Sequence, residues 1–196
     1  AIAASEARRA AAPARSGDEG HLVQQPFFSL DFSGAALGDE IRRAGDVAIG
    51  DFGMRFEGAR WGFLARMGGF TSFERASFFN LTLEPTYALV ATDNFRLRIR
   101  AGFAFSSTGS VSMGGLAVGS SMVLCLVGPL DLEADVTAVP FPYSRIDANV
   151  GLALNFGVVS FRAGWKTAHQ DDRGHGAGTL ESVRYSGGYG GMGLHF

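Results

Sequence analysis

The chain is almost without lysine: Lys166 is the only one, and every other basic residue is arginine. Soluble β-proteins cover their outer faces and sheet edges with Lys and Glu, so the usual material for a solvated exterior is missing. Charged residues make up 18% of the sequence, below the roughly 25% of soluble domains. Cys125 stands alone, which excludes an intramolecular disulfide and leaves the redox compartment open. A basic excess is missing too, since the net charge of −2 gives no footprint for nucleic acid. No run approaches the roughly 18 apolar residues of a membrane helix. The longest, Met122 to Val127, is cut by Gly128-Pro129. If this chain enters a membrane, it crosses as strands. Ala1-Ile-Ala-Ala-Ser also lacks the charged and apolar regions of an export signal, and the chain is therefore expected to be a mature form.

What is present is period-2 alternation. Residues 1–20 are rich in Ala and Arg without an aromatic and are expected to be a flexible extension; from residue 21 to 196 the alternation takes over. In Phe95-Arg-Leu-Arg-Ile-Arg-Ala-Gly-Phe-Ala-Phe105, one face carries Phe95, Leu97, Ile99, Ala101, Phe103 and Phe105, and the other Arg96, Arg98 and Arg100. A helix would scatter those arginines around its girth; a strand sorts them. Leu130–Val136 does the same with acids, setting Asp131, Glu133 and Asp135 against Leu130, Leu132, Ala134 and Val136. The pattern predicts ten strands near 26–34, 46–57, 61–70, 78–90, 95–105, 116–126, 130–139, 146–156, 158–167 and 183–196. Most match the length of a tilted membrane strand. The connections alternate between long (35–45, 71–77, 106–115, 140–145, 168–182) and short (58–60, 91–94, 127–129, Gly157). That rhythm predicts an all-β fold: a closed, antiparallel, up-and-down transmembrane β-barrel of about ten strands, with eight as the alternative count.

Period 2 alone does not separate a membrane barrel from a soluble one that binds an apolar ligand. Three features favour the membrane. The charged face is balanced: Arg55, Arg66, Arg96, Arg98, Arg100, Arg162 and Lys166 oppose Asp31, Asp51, Glu57, Glu84, Asp131, Glu133 and Asp135, and pairing makes confined charges tolerable. The rest of that face is small, including Gly53, Gly62, Gly68, Gly102, Gly119, Gly151 and Gly164, which suits a crowded lumen. Aromatics gather at strand ends: Phe56, Trp61, Tyr87, Phe95 and Phe156 by the short turns, and Phe32, Phe70, Phe79, Phe103, Phe141, Tyr143 and Trp165 by the long loops, as in interfacial girdles. The arginine row is expected to salt-bridge to Glu84, Glu133 and Asp135, plugging the lumen; lining a narrow anion path is the alternative. Pro85 predicts a bulge or local edge, and Cys125 a small side chain packed on the polar face.

The last stretch, Tyr185-Ser-Gly-Gly-Tyr-Gly-Gly-Met-Gly-Leu-His-Phe196, resembles the closing strand of small bacterial outer-membrane barrels of OmpA-like architecture, which ends in Phe. The resemblance spans residues 21–196. It implies outer-membrane localisation, contact with outer-membrane lipid, and a C-terminal signal (Met192, Leu194 and Phe196 toward lipid, His195 toward the lumen) read by the barrel-assembly machinery. Residues 1–20 would then lie on the periplasmic side.

Chemistry is sparse. His169-Gln-Asp-Asp-Arg-Gly-His175 offers His169, Asp171, Asp172 and His175 as metal ligands, but its glycines predict a solvated loop. Outer-membrane proteases of the omptin type and lipid A deacylases use facing acid pairs or a His-x-Ser arrangement, and neither occurs here. The expectation is a non-enzymatic barrel without cofactor or metal, acting as a structural or interaction subunit beside other envelope proteins. Its contact surfaces would be the tail (Arg8, Arg9, Arg15) and the small-residue outer faces of the sixth and tenth strands. A narrow pore and a surface hydrolase are the alternatives.

Overall fold

The computed structural model describes residues 27–39, 46–72, 75–108, 111–171, 173 and 182–196. They form ten strands: β1 (Phe27–Asp39), β2 (Asp46–Glu57), β3 (Trp61–Ser72), β4 (Arg75–Ala91), β5 (Phe95–Thr108), β6 (Val111–Val127), β7 (Leu130–Val139), β8 (Ser144–Phe156), β9 (Val159–Asp171) and β10 (Val183–His195). Each pairs antiparallel with its sequence neighbours, and β1 pairs with β10, closing the barrel. The closure is anchored by two reciprocal amide bonds, Phe28 N to Phe196 O at 3.1 Å and Phe196 N to Phe28 O at 2.8 Å. No strand edge is left open, which is the condition for a sheet in hydrocarbon. The tail of residues 1–20, with Arg8, Arg9 and Arg15, lies outside the described residues, as do Asp172 and His175.

Strand count and short turns match the alternation, but the strands reach further at the other end. β4 begins at Arg75, β5 ends at Thr108, β6 begins at Val111 and β9 ends at Asp171. The expected long connections 71–77 and 106–115 are therefore largely strand, whereas 140–143 is a turn. Above a lipid band the outer face no longer needs apolar residues, so the pattern fades while the ladder continues. His169 and Asp171 accordingly sit on β9, not in a loop. Asp171 Oδ1 accepts the Arg173 amide at 2.8 Å, and the described residues hold no group of three metal-ligating side chains.

Two local expectations are corrected. Pro85 makes no bulge: the β4–β5 register is the same on either side of it (Leu83↔Phe103, Thr86↔Arg100), and the shift falls at Ala88–Val90. Gly102 opposite lets the two backbones close in at that point: a Cβ there would meet the Glu84 Cα at 2.8 Å. Tyr143 does not join an outer girdle. It is fully buried, inside the barrel, against Ala104, Met113, Ala117 and Val139, because the 140–143 turn folds its ring inward. The side chain of Phe70 lies outside the described set.

The barrel is inside-out. Phe56, Trp61, Phe103, Leu116, Phe141, Phe156, Phe161, Trp165 and Phe196 are exposed on its surface, whereas Glu57, Glu84, Arg98 and Arg100 are buried. At the short-turn end Trp61 and Tyr87 stack edge-on at 4.9 Å, and Arg60 Nη1 donates to Tyr87 Oη at 3.1 Å. Such rings with a polar tip belong at an interface between apolar and wet surroundings.

Candidate functional site

The interior is the only place where chemistry-bearing side chains of the described residues converge, and the strand pleat puts them there. Asp51, Arg55 and Glu57 of β2, Arg96, Arg98 and Arg100 of β5, Asp131, Glu133 and Asp135 of β7, and Arg162 and Lys166 of β9 share the inward face of their strands, so their charges meet across the lumen. Arg100 on β5 reaches over β6: its Nε lies 3.1 Å from Glu84 Oε2, Nη1 lies 2.6 Å from Asp135 Oδ2, and Nη2 donates to the Val136 carbonyl at 2.9 Å. Gly119 makes this possible, because a Cβ there would stand 2.8 Å from the Arg100 Nε. Arg66 on β3 completes the group from the far wall, 3.1 Å from Asp135 Oδ1. Two acids on β4 and β7 thus hold two arginines from β3 and β5.

A second group spans the opposite side. Arg162 on β9 pairs with Asp31 on β1 and, at 2.9 Å, with Glu133 on β7. Gly193 gives them room, since a Cβ there would meet Asp31 Oδ1 and Ser160 Oγ at 2.6 Å. Lys166 crosses two strands to Asp51 on β2. Nearer the loop-side end Arg145 pairs with Asp147 at 2.5 Å.

The third group lies at the short-turn mouth. Glu57 receives Arg96 and Arg98, each at 3.0 Å, and Arg55 at 3.6 Å. Arg98 is further held by Thr86 Oγ1 and the Gly58 carbonyl. The arginine row therefore divides: Arg96 and Arg98 belong to Glu57, and only Arg100 reaches Glu84 and Asp135. Glu133 belongs to Arg162. Alternation places all of these on one face but says nothing of partners several strands apart. Asp131 accepts Asn155 Nδ2 at 2.7 Å, and Cys125, half-buried beside the β6 register shift, has its Sγ 3.9 Å from the Gly128 carbonyl.

Between the groups a cavity of about 110 Å³ is lined by Asp31, Asp51, Arg66, Glu133, Asp135 and Arg162 among others. A smaller one of about 30 Å³ lies above it, by Asn80, Arg145 and Gln170. His195 and Ser160 meet at 3.0 Å, but Ser160 is wholly buried, so its hydroxyl is out of reach of a substrate.

On the outer surface the small residues of β10 do not stand alone. Gly190 pairs with Gly34, Gly34 with Gly50, and Gly50 with Gly69. These four glycines form one smooth row across β10, β1, β2 and β3, bordered by Phe32, Phe52, Met67 and Met192. On β6, by contrast, Ala117 and Gly119 point inward, and the outward positions include exposed Leu116 and Val118.

No protein-family profile matches the chain, and no curated protein sequence does. Among solved structures, Neisserial surface protein A (NspA) is 10% identical with a TM-score of 0.44, over 91% of this chain and 100% of that one. The N-terminal β-barrel domain of Pseudomonas aeruginosa OprF is 14% identical with a TM-score of 0.37, over 88% and 98%. Ail, the attachment invasion locus protein of Yersinia pestis, is 11% identical with a TM-score of 0.39, over 87% and 97%. At these values the likeness is one of general architecture.

Proposed function

We propose that the chain is a non-enzymatic barrel of the bacterial outer membrane, with a sealed lumen and a structural or interaction role in the envelope. One observation carries this reading: ion pairs cross the lumen from wall to wall, Arg66 to Asp135 and Lys166 to Asp51. Each would have to break for a solute to pass, and breaking a buried pair costs several kcal/mol. The loop-side end is further closed by the apolar cluster around Tyr143. The outward Phe, Leu and Trp side chains suit outer-membrane lipid, and Met192, Leu194 and Phe196 on the closing strand suit recognition by the barrel-assembly machinery. A barrel that passes nothing acts through its surface. The smooth glycine row and the tail of residues 1–20, on the periplasmic side, are then the places for neighbouring envelope proteins, since small residues allow close approach.

Planar-bilayer recording of the purified barrel tests the seal. The expected trace has no stable steps at moderate voltage. Reproducible steps that Arg98→Ala alters would replace the sealed barrel with a narrow pore.

A further inference from the structure

The chain has two indoles, and their surroundings differ. At the loop-side end Trp165 Nε1 donates to Ser186 Oγ at 2.8 Å. At the short-turn end Trp61 Nε1 has no hydrogen-bond partner among the described residues. Trp61 belongs to a small cluster. Its ring stands edge-on to that of Tyr87, its ladder partner, at 4.9 Å, and Tyr87 Oη accepts from Arg60 Nη1 at 3.1 Å. All three side chains lie on the outer surface. Gly62, the next residue of β3, faces the lumen, where a Cβ would meet Thr86 Oγ1 at 2.7 Å, so Trp61 and Tyr87 face away from it. The backbone beneath them is pinned by two amide bonds, Gly58 N to Trp61 O and Ala88 N to Arg60 O, each 2.8 Å.

The cluster is all donor. The indole N–H, the phenol O–H (its oxygen already accepts) and the remaining N–H groups of the Arg60 fork have no acceptor among the described residues. Nor does a carboxylate balance the charge. Glu57 is buried in the lumen with Arg96 and Arg98, and Asp93, in the turn after β4, makes no ion pair with Arg60. Toward the middle of the barrel the same outward lane is apolar: Phe63 stands opposite Pro85, Ala65 opposite Leu83 and Met67 opposite Leu81.

We infer that Arg60, Trp61 and Tyr87 form a phospholipid site on the short-turn rim of the outer surface, in which their donors take the phosphodiester and an acyl chain lies along Phe63, Pro85, Ala65 and Leu83. A planar guanidinium meets two phosphate oxygens at once, and indole and phenol tips sit at headgroup depth. Charge complementarity selects the phosphate. The apolar lane selects a lipid over a free anion, which would have no use for it. The site rests on the membrane reading proposed above.

The test folds the full chain in dodecyl maltoside micelles, whose headgroups carry no phosphate, and reads each indole alone: Trp165→Phe keeps Trp61, and Trp61→Phe keeps Trp165. Phosphatidylglycerol with brominated chains, or diacylglycerol with the same chains, is titrated in, and bromine quenches an indole that it touches. Trp61 should be half-quenched at a mole fraction of phosphatidylglycerol at least about fivefold below that of diacylglycerol, the factor given by about 1 kcal/mol per basic residue at an anionic headgroup. Trp165 should show no such preference. Arg60→Gln, an exposed position whose variant is checked for folding by heat-modifiable mobility, should abolish the preference at Trp61. Equal quenching of Trp61 by the two lipids overturns the site, as does a preference that survives Arg60→Gln or appears equally at Trp165; each of these leaves the barrel in its lipid belt. Absence of quenching at both indoles by both lipids overturns the membrane reading itself, and the site with it.

Discussion

Asp135 is the hinge of the ionic core, and its removal gives a sharp expectation. Its two oxygens hold Arg100 at 2.6 Å and Arg66 at 3.1 Å, and its side chain is only 11% exposed. Substituting Asp135→Ala leaves Arg100, 2% exposed, with Glu84 as its sole carboxylate, and Arg66 with none within bonding distance. Removing one partner of a buried pair costs about 3–5 kcal/mol, most of it from the charge left behind. A solvent-exposed pair is worth about 0–1 kcal/mol, so the two cases are well separated. Urea unfolding of the barrel in detergent, followed through Trp61 and Trp165 fluorescence, measures the difference. The isosteric Asp135→Asn keeps an acceptor and should lose somewhat less. Replacing the quartet together (Arg66→Met, Arg100→Met, Glu84→Leu, Asp135→Leu) should recover most of the loss, because no charge is then stranded. A loss for Asp135→Ala below about 1 kcal/mol would mean that the lumen is wet enough to solvate free arginines, and the sealed interior would be wrong.

Gly102→Ala should destabilise by about 1–3 kcal/mol, since its Cβ would run into the Leu83 carbonyl and the Glu84 Cα, both backbone; Gly50→Ala, with nothing within 4 Å, should be silent in the same urea assay. Burial raises the Tyr143 phenol above the ordinary tyrosine range. The folded state therefore holds that proton more tightly than the unfolded state: its contribution is complete below the usual tyrosine range and is lost as pH rises through the folded value. Ultraviolet titration should find a late-ionising phenol that Tyr143→Phe removes. Because the hydroxyl has no hydrogen-bond partner among the described residues, that variant should be at least as stable as wild type at neutral pH. Phe196→Ala should lower the folded barrel recovered from outer membranes several-fold, read as heat-modifiable mobility on gels, while refolding of the purified chain into detergent is much less affected.

The sequence was legible wherever a face had a single kind of surroundings. The run Phe95–Phe105 declares its two sides because one meets apolar surroundings and the other a lumen, and β5 begins where that run begins. The loop-side ends were not legible, because beyond an apolar band the outward residues carry no consistent character; β6 starts five residues before the apolar run at Leu116. Tyr143 was misplaced because an aromatic beside a turn reads alike whether its ring points out or in. The partners within the lumen were not readable either. Arg66 and Asp135 are 69 residues apart in sequence, and their meeting depends on the relative heights of β3 and β7 after closure.

The same lumen also answers a question that alternation leaves open, namely what fixes register. A slip of one residue between β5 and its neighbours would turn Arg96, Arg98 and Arg100 into hydrocarbon, at about 2–4 kcal/mol each near the midplane. A slip of two keeps every side chain on its proper face and costs nothing on that account. What forbids it is the matching of long side chains to glycines one strand away. Arg100 lies over Gly119, and a two-residue slip of β6 would put Ala117 or Ser121 beneath its guanidinium. Arg162 and Asp31 meet over Gly193, where the same slip of β10 would bring Gly191 or His195. The first of these collides; in the second the His195 ring would fill the gap, so the fit at Gly193 forbids the slip that brings His195, while Gly191 would leave the gap as it is. Glycine in this barrel therefore has two distinct uses. On the outside it makes a smooth row that no ladder partner requires. On the inside it sets the vertical alignment of strands whose hydrophobic pattern alone would tolerate several.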